Sequence, residues 1–134
     1  MGICEYNEDK VFMVKVLFVE DDEIDQIAFK RFVSKRNLDY NYSIASSVFE
    51  ARRILETEKF DIVLLDYQLG DGTAAELFRL LKGTPFIIIS GLASDKNIAE
   101  AKTGGAHTYL MKDINRNYLE NMIVSIQKAI ENND

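Results

Sequence analysis

The chain has 134 residues, 47% of them hydrophobic, which fits one globular domain that buries a core. Its net charge of −6 argues against a dedicated nucleic-acid surface, because phosphate backbones are held by clustered Lys and Arg. Cys4 is the only cysteine, which excludes an internal disulfide and suits a reducing compartment, so we expect a cytoplasmic protein.

The N-terminal region carries neither a membrane span nor a signal peptide. Its longest apolar stretch, Val11 to Val19, is interrupted by Lys15 and is far shorter than a span of roughly 20 residues. Glu5, Glu8 and Asp9 stand where a signal peptide would be basic. We therefore expect no membrane insertion.

Short apolar runs alternate with segments of helical spacing along the chain. The predicted strands are Lys15–Val19, Tyr42–Ala45, Ile62–Leu65, Phe86–Ile89 and Thr108–Met111. The helical segments contain Ile24, Ala28 and Phe32; Val48, Ala51 and Leu55; Ala74, Leu77 and Leu81; Ile98 and Ala101; and Met122, Ile126 and Ile130. This alternation predicts an α/β fold with a doubly wound parallel sheet and helices on both faces. We expect an N-terminal extension over residues 1–13 and one domain over residues 14–134.

Polar residues follow four of the five predicted strands. They are Glu20, Asp21 and Asp22 after the first strand, Asp66 after the third, Ser90 after the fourth and Lys112 after the fifth. Ligands of open parallel sheets bind at this edge. Clustered carboxylates repel one another, so the ionised cluster needs a cation, which Mg²⁺, Lys112 or both supply. Asp22 is also a candidate N-cap of the first helix.

Asp66 is the predicted nucleophile. It directly follows the apolar run Ile62–Leu65 and precedes the loop of residues 67–73, so it lies at a strand tip on rigid structure. A carboxylate can form an aspartyl phosphate when a metal neutralises the incoming oxygens. Ser90 and Lys112 can then donate hydrogen bonds to the phosphoryl group.

Four segments in order resemble the signatures of bacterial response regulator receiver domains. They are Val19-Glu20-Asp21-Asp22, Leu65-Asp66, Ile89-Ser90-Gly91 and Tyr109-Leu110-Met111-Lys112. Each is weak alone, but four at successive strand ends are strong together, and the resemblance covers about residues 15–131. It implies a five-stranded flavodoxin-like sheet of order 2-1-3-4-5.

The same resemblance implies a two-component or phosphorelay function in which Asp66 takes a phosphoryl group from a sensor histidine kinase or a histidine phosphotransfer protein. It implies Mg²⁺ held by Asp66, Asp21, the backbone carbonyl of Gln68 and, through water, Glu20. Ser90 and Tyr109 correspond to the switch pair, which acts on a downstream effector protein. Such a domain is a phosphoacceptor with autodephosphorylation rather than an enzyme, and Gln68 is placed to tune that hydrolysis.

Other functions fit parts of the pattern. One alternative is a phosphatase with an aspartyl nucleophile. The sequence pattern of that class has a second Asp two residues after the nucleophile, whereas this chain has Gln68 there. A flavin-binding module of this fold would need a small, hydroxyl-rich phosphate loop after the first strand, where the three acids of this chain would repel a phosphate. A receiver-shaped protein-interaction module, or a receiver cut from a larger hybrid kinase, remains the alternative.

Single site residues also have ordinary structural explanations. Without the family resemblance, Ser90 is consistent with a turn residue, Lys112 with a surface lysine and Tyr109 with an aromatic on a half-buried strand.

One position departs from the family. The residue after the lysine is usually a proline in a cis bond, whereas Lys112 is followed by Asp113. A non-proline cis bond costs roughly 3 kcal/mol, so we predict a trans bond, with Asp113 or Asn115 capping the last helix.

Overall fold

A computed structural model describes residues 13–92 and 94–133 and contains a five-stranded parallel sheet. The strands are β1 (Val14–Val19), β2 (Tyr40–Ala45), β3 (Ile62–Asp66), β4 (Phe86–Ser90) and β5 (Thr108–Met111), in the order β2-β1-β3-β4-β5. The predicted fold class and strand order are confirmed. The predicted extension lies almost wholly outside the described residues, which begin at Met13.

Within the described residues, four α-helices and one 3₁₀ helix connect and follow the strands. They are α1 (Glu23–Lys35), α2 (Val48–Thr57), the 3₁₀ helix (Ala74–Leu81), α3 (Asp95–Thr103) and α4 (Tyr118–Glu131). The third helical segment therefore differs in type from the other four. Its buried residues Ala74, Leu77 and Leu81 are three and four positions apart, a spacing that both helix types accommodate. The sequence pattern could not distinguish between them.

The sheet separates two hydrophobic cores. Alternate residues of each central strand face opposite sides, so Leu17 packs with the side of α2, the 3₁₀ helix and α3, and Phe18 packs with the side of α1 and α4. Ile62–Leu65 is fully buried for this reason. The sheet is covered on both faces, which explains a continuous apolar run in place of an alternating one.

Side chains fix the starts of α1 and α2. Asp22 is the N-cap of α1 and accepts a hydrogen bond from the backbone N–H of Ile24 at 3.0 Å, as predicted. Asp71 accepts from the backbone N–H groups of Val48 and Phe49, at 2.9 and 3.0 Å. These bonds lower the pKa of the Asp71 carboxyl and tie the loop after Asp66 to the start of α2.

The segment between β5 and α4 confirms the prediction for Lys112 and Asp113. No peptide bond within residues 13–92 and 94–133 is cis, so the bond between these two residues is trans. The Asp113 carboxylate accepts from the backbone N–H groups of Asn117 and Tyr118, at 3.0 and 3.1 Å. Asp113 therefore caps the start of α4, and Arg116 in the same turn has a left-handed φ of 56°.

Among the described residues, none of the helices has the length and apolar character needed to cross a bilayer.

Candidate functional site

The carboxyl ends of β1, β3, β4 and β5 bring the predicted site residues to one edge of the sheet. Glu20 and Asp21 follow β1, Asp66 ends β3, Ser90 ends β4, and Lys112 follows β5. These strands are neighbours in the sheet and run parallel, so their ends meet. The structure brings the acidic residues and Lys112 together, and Ser90 lies buried on the adjacent strand end.

Three carboxylates form a compact group of oxygen ligands. Oxygens of Glu20, Asp21 and Asp66 all lie within 4.8 Å of one another. Glu20 is fully buried and Asp66 is 7% exposed, whereas Asp21 is open to solvent. Hard oxygen ligands with one side open to water are suited to a divalent cation such as Mg²⁺, which keeps several water molecules.

The ammonium group of Lys112 lies among carboxylates. Its Nζ is 2.7 Å from Glu20 Oε1, 2.8 Å from Asp25 Oδ2 and 3.2 Å from Asp66 Oδ2. Only 16% of its side chain is exposed. The predicted place of Lys112 beside Asp66 is therefore found, and the extended side chain reaches the site from a trans backbone.

Burial and charge perturb the ionisation of these groups. Burial, together with the nearby Asp66 carboxyl, raises the pKa of Glu20 from its ordinary value of 4.5 to about 8. Burial also raises the pKa of Asp66. Burial disfavours the charged form of Lys112, but hydrogen bonds to Asp25 and Glu20 outweigh it, so the pKa of Lys112 is raised. Burial is thus the main cause of both carboxyl shifts, and the contacts with Lys112 oppose it.

A count of charges shows that the ionised cluster is negative. When all are ionised, the four carboxylates Glu20, Asp21, Asp25 and Asp66 face the two cations Lys112 and Arg116. The cluster then carries two more negative than positive charges, which one divalent cation would balance.

Ser90 and Tyr109 are linked through Leu92. Ser90 is 1% exposed, and its Oγ accepts a hydrogen bond from the backbone N–H of Leu92 at 3.1 Å. The Tyr109 hydroxyl donates to the carbonyl oxygen of Leu92 at 2.8 Å, and its ring packs partly buried against the core beneath α3. Leu92 therefore accepts a bond from Tyr109 and donates one to Ser90.

Gln68 lies two residues beyond Asp66 with its side chain exposed. It pairs with Thr73, and Leu69 pairs with Gly72, in a two-residue antiparallel ladder that closes the loop. Gly70, at the turn, lies next to Asp21, since a Cβ added to this glycine would be 3.4 Å from a carboxylate oxygen of Asp21. The loop with Gln68 is thus packed along the acidic cluster.

Sequence reasoning missed Asp25 and Arg116. Asp25 lies in the first turn of α1, where an acidic residue is ordinary because it favours the helix N-terminus. Its contacts with Lys112 and with Arg116 Nη2, the latter at 3.5 Å, join positions 87 and 91 residues apart. The only local signal was an additional acid four residues after Asp21.

Comparisons with known proteins agree with this site. The sequence profile of the response regulator receiver domain matches residues 16–124. The transcriptional regulatory protein CrdR of Helicobacter pylori is 32% identical over 111 residues, which cover 79% of this chain and 51% of CrdR. The two-component response regulator-like protein APRR3 of Arabidopsis thaliana is 31% identical over 117 residues, or 81% of this chain and 23% of APRR3.

A solved CheY-like receiver domain from Methanospirillum hungatei JF-1 superposes with a TM-score of 0.79 at 26% identity, covering 90% of this chain and 96% of that one. The chain spans about half or less of the length of these two curated relatives.

The fold and the acidic strand-end site define a phosphoacceptor domain of the signalling type. The chain belongs to the response regulator receiver domain family. Its function at the family level is phosphorylation-based two-component signalling, in which receiver domains typically bind Mg²⁺ and interact with histidine kinases and effector domains.

Proposed function

We propose that Asp66 accepts a phosphoryl group from a phosphohistidine donor in a Mg²⁺-dependent reaction, and that the modified domain switches a protein-interaction surface. One observation carries the proposal. The Asp66 carboxylate lies at the tip of β3 with the Lys112 ammonium 3.2 Å from it and the oxygens of Glu20 and Asp21 within 4.8 Å. A nucleophile, a fixed cation and a set of metal ligands are thus together.

Asp66, Asp21 and the backbone carbonyl of Gln68 would hold the Mg²⁺ ion, and Glu20 would hold it through water. When bound, the ion neutralises charge on the phosphoryl oxygens and on the carboxylates. The residues present fit such an ion, because three carboxylates offer oxygens within 4.8 Å of one another and the ionised cluster carries two more negative than positive charges.

In the transfer step, a carboxylate oxygen of Asp66 attacks phosphorus while the bond from phosphorus to the donor imidazole breaks. The electron pair of that bond returns to the imidazole nitrogen. Lys112 moves one N–H from Asp66 to a phosphoryl oxygen, and Ser90 rotates to donate its hydroxyl to another.

Autodephosphorylation reverses the modification by hydrolysis. A water molecule attacks phosphorus in line with the bond to the Asp66 oxygen. That bond breaks, its electron pair returns to the Asp66 carboxylate, and inorganic phosphate leaves with the oxygen and protons of the water. The Gln68 side chain is exposed on the loop that follows Asp66, which supports a role for its amide in orienting this water.

The donor is a histidine kinase or a histidine phosphotransfer protein, and it must cover the surface around Asp66. Ile24 at the start of α1 and Ile114 after β5 are 67% and 91% exposed. Such exposed apolar side chains beside the site suit a transient protein contact. The surface that binds the downstream effector protein is the face formed by α3, β5 and α4, because Tyr109 lies beneath it and is linked to Ser90 through Leu92.

The experiment incubates the protein with Mg²⁺ and a small phosphodonor and measures the intact mass. We expect the mass of one phosphoryl group to be added to the parent and not to Asp66→Asn. Asp61→Asn is the matched control, since Asp61 immediately precedes β3, at the end opposite to Asp66. No mass gain in the parent with any donor would overturn the proposal and leave an interaction module of receiver shape as the function.

A further inference from the structure

We propose that Asp25 is a positioning residue for the phosphoryl-transfer lysine, and that Arg116 in turn holds Asp25. The inference rests on the proposed function, because it concerns how Lys112 is presented to Asp66. It starts from the observation that the nearest carboxylates to the Lys112 ammonium are those of Glu20 and Asp25, at 2.7 and 2.8 Å, while Asp66 is 3.2 Å away.

A lysine ammonium has three N–H donors and no acceptor. The three carboxylates around Lys112 therefore use all of its donors, one each. Phosphorylation would convert the Asp66 carboxylate to an acyl phosphate, which removes the carboxylate charge and places charged phosphoryl oxygens next to it. Lys112 can then transfer its longest and weakest contact to the phosphoryl group while it keeps the bonds to Glu20 and Asp25.

Two fixed anchors matter because the side chain of a lysine is long and flexible. Glu20 approaches the ammonium from the end of β1 and Asp25 from α1, so together they leave the third N–H directed toward Asp66. Without Asp25, the ammonium has a free donor and more available rotamers. Its position relative to the reacting oxygens is then less defined, which lowers the rate of transfer.

Arg116 completes the arrangement. Its Nη2 lies 3.5 Å from Asp25 Oδ1, the oxygen that does not contact Lys112. Its Nε is buried without a hydrogen-bond partner among the described residues, so Arg116 is held there at some cost in desolvation. The contact that Arg116 does make is with Asp25, and it favours the carboxylate orientation in which the other oxygen reaches Lys112.

The test compares Asp25→Asn with Asp22→Asn. Both variants replace one carboxylate by an amide in or next to the first turn of α1, and Asn is as good an N-cap as Asp at position 22. Asp22 does not contact Lys112. A general loss of negative charge would therefore affect both variants alike, whereas loss of positioning would affect only Asp25→Asn.

Two measurements are made on the full chain. The first is the rate constant of phosphorylation by acetyl phosphate at saturating Mg²⁺, which we expect to fall about tenfold or more in Asp25→Asn and less than about twofold in Asp22→Asn. The second is the ¹⁵N signal of the Lys112 ammonium in the metal-free protein, assigned by its loss in Lys112→Arg. We expect a slowly exchanging signal in the parent and Asp22→Asn and a broadened or absent one in Asp25→Asn.

If the two variants react at similar rates, the proposal is wrong while the phosphoacceptor function stands. If the parent takes up no phosphoryl group, the proposed function fails, and the ammonium signal then decides the role of Asp25 alone. A sharp Lys112 signal that persists in Asp25→Asn would overturn the positioning role, and its loss in that variant alone would support it.

Discussion

Glu20 and Asp66 connect the ionisation of single residues to the stability of the fold. The pKa of Glu20 is raised from 4.5 to about 8 by burial, and that of Asp66 is raised for the same reason. The folded protein therefore holds protons that the unfolded chain releases between these values. A raised carboxyl pKa favours the folded state below the unfolded value, and this contribution is lost as the pH rises through the folded value.

We predict that the metal-free protein loses unfolding free energy as the pH rises from about 5 to about 8. Lys112 does not add to this change, because its ordinary pKa of 10.5 lies above the window. Urea unfolding at several pH values measures the effect. The Glu20→Gln variant should show a flatter dependence, and Mg²⁺ should stabilise the parent more at the upper end of the range than at the lower. An unfolding free energy that increases across this range would contradict the prediction.

Gln68 gives a second prediction for a single side chain. Its exposed amide lies on the loop along the site, so Gln68→Ala should change the lifetime of the phosphoryl group while leaving the rate of its acceptance nearly unchanged. The measurement is loss of the added phosphoryl mass with time after the donor is removed. Equal dephosphorylation rates in the variant and the parent would remove Gln68 from the hydrolytic step.

The start of α4 allows a prediction for a secondary-structure element. Asp113 accepts hydrogen bonds from two backbone N–H groups there, while Asn117, at the N-cap position, makes no capping bond with its side chain. We expect Asp113→Ala to lower the unfolding free energy by about 1 kcal/mol, and Asp113→Asn to lower it less. Chemical denaturation of the three proteins measures this. An unchanged stability in Asp113→Ala would mean that α4 starts without this cap.

The elements also show what local sequence could predict. The strands could be predicted because they are short apolar or β-branched runs bounded by polar residues, and Ile62–Leu65 followed by Asp66 is the clearest case. The 3₁₀ character of Ala74–Leu81 was not predicted, because the spacing of its buried residues fits either helix type. The bonds from Asp71 to the start of α2 were missed because they join residues 22 and 23 positions apart.

Most residues of the candidate site could also be predicted from the sequence. Glu20, Asp21, Asp66, Ser90 and Lys112 were identified because each follows a predicted strand, and parallel strands share one edge. Asp25 could not be identified in that way. Its partner Lys112 is 87 residues away, and only packing of α1 against the turn after β5 brings the two together.

For the molecule as a whole, the link from Ser90 through Leu92 to Tyr109 predicts how the site acts at a distance. Phosphorylation should change hydrogen exchange in α3 and β5 of the parent. In Tyr109→Ala that change should be much reduced, while phosphorylation itself continues, because the side chain that bonds to Leu92 is absent.

Tyr109→Phe separates the two contributions of the tyrosine, since it keeps the packed ring and loses the hydrogen bond to Leu92. An intermediate response is expected for this variant. If Tyr109→Ala responded to phosphorylation as the parent does, the coupling would have to follow another route through the molecule.

The central claim is that Asp66 itself becomes an aspartyl phosphate. Sodium borohydride reduces an aspartyl phosphate to homoserine, so the protein is treated with Mg²⁺ and a phosphodonor, reduced, digested and sequenced by mass spectrometry. We predict homoserine at position 66 and at no other acidic position, and none when Mg²⁺ is withheld. Homoserine at Asp21 or Asp25 in its place, the five-carbon alcohol 2-amino-5-hydroxypentanoic acid at Glu20, or a phosphoryl group that resists reduction, would contradict the account.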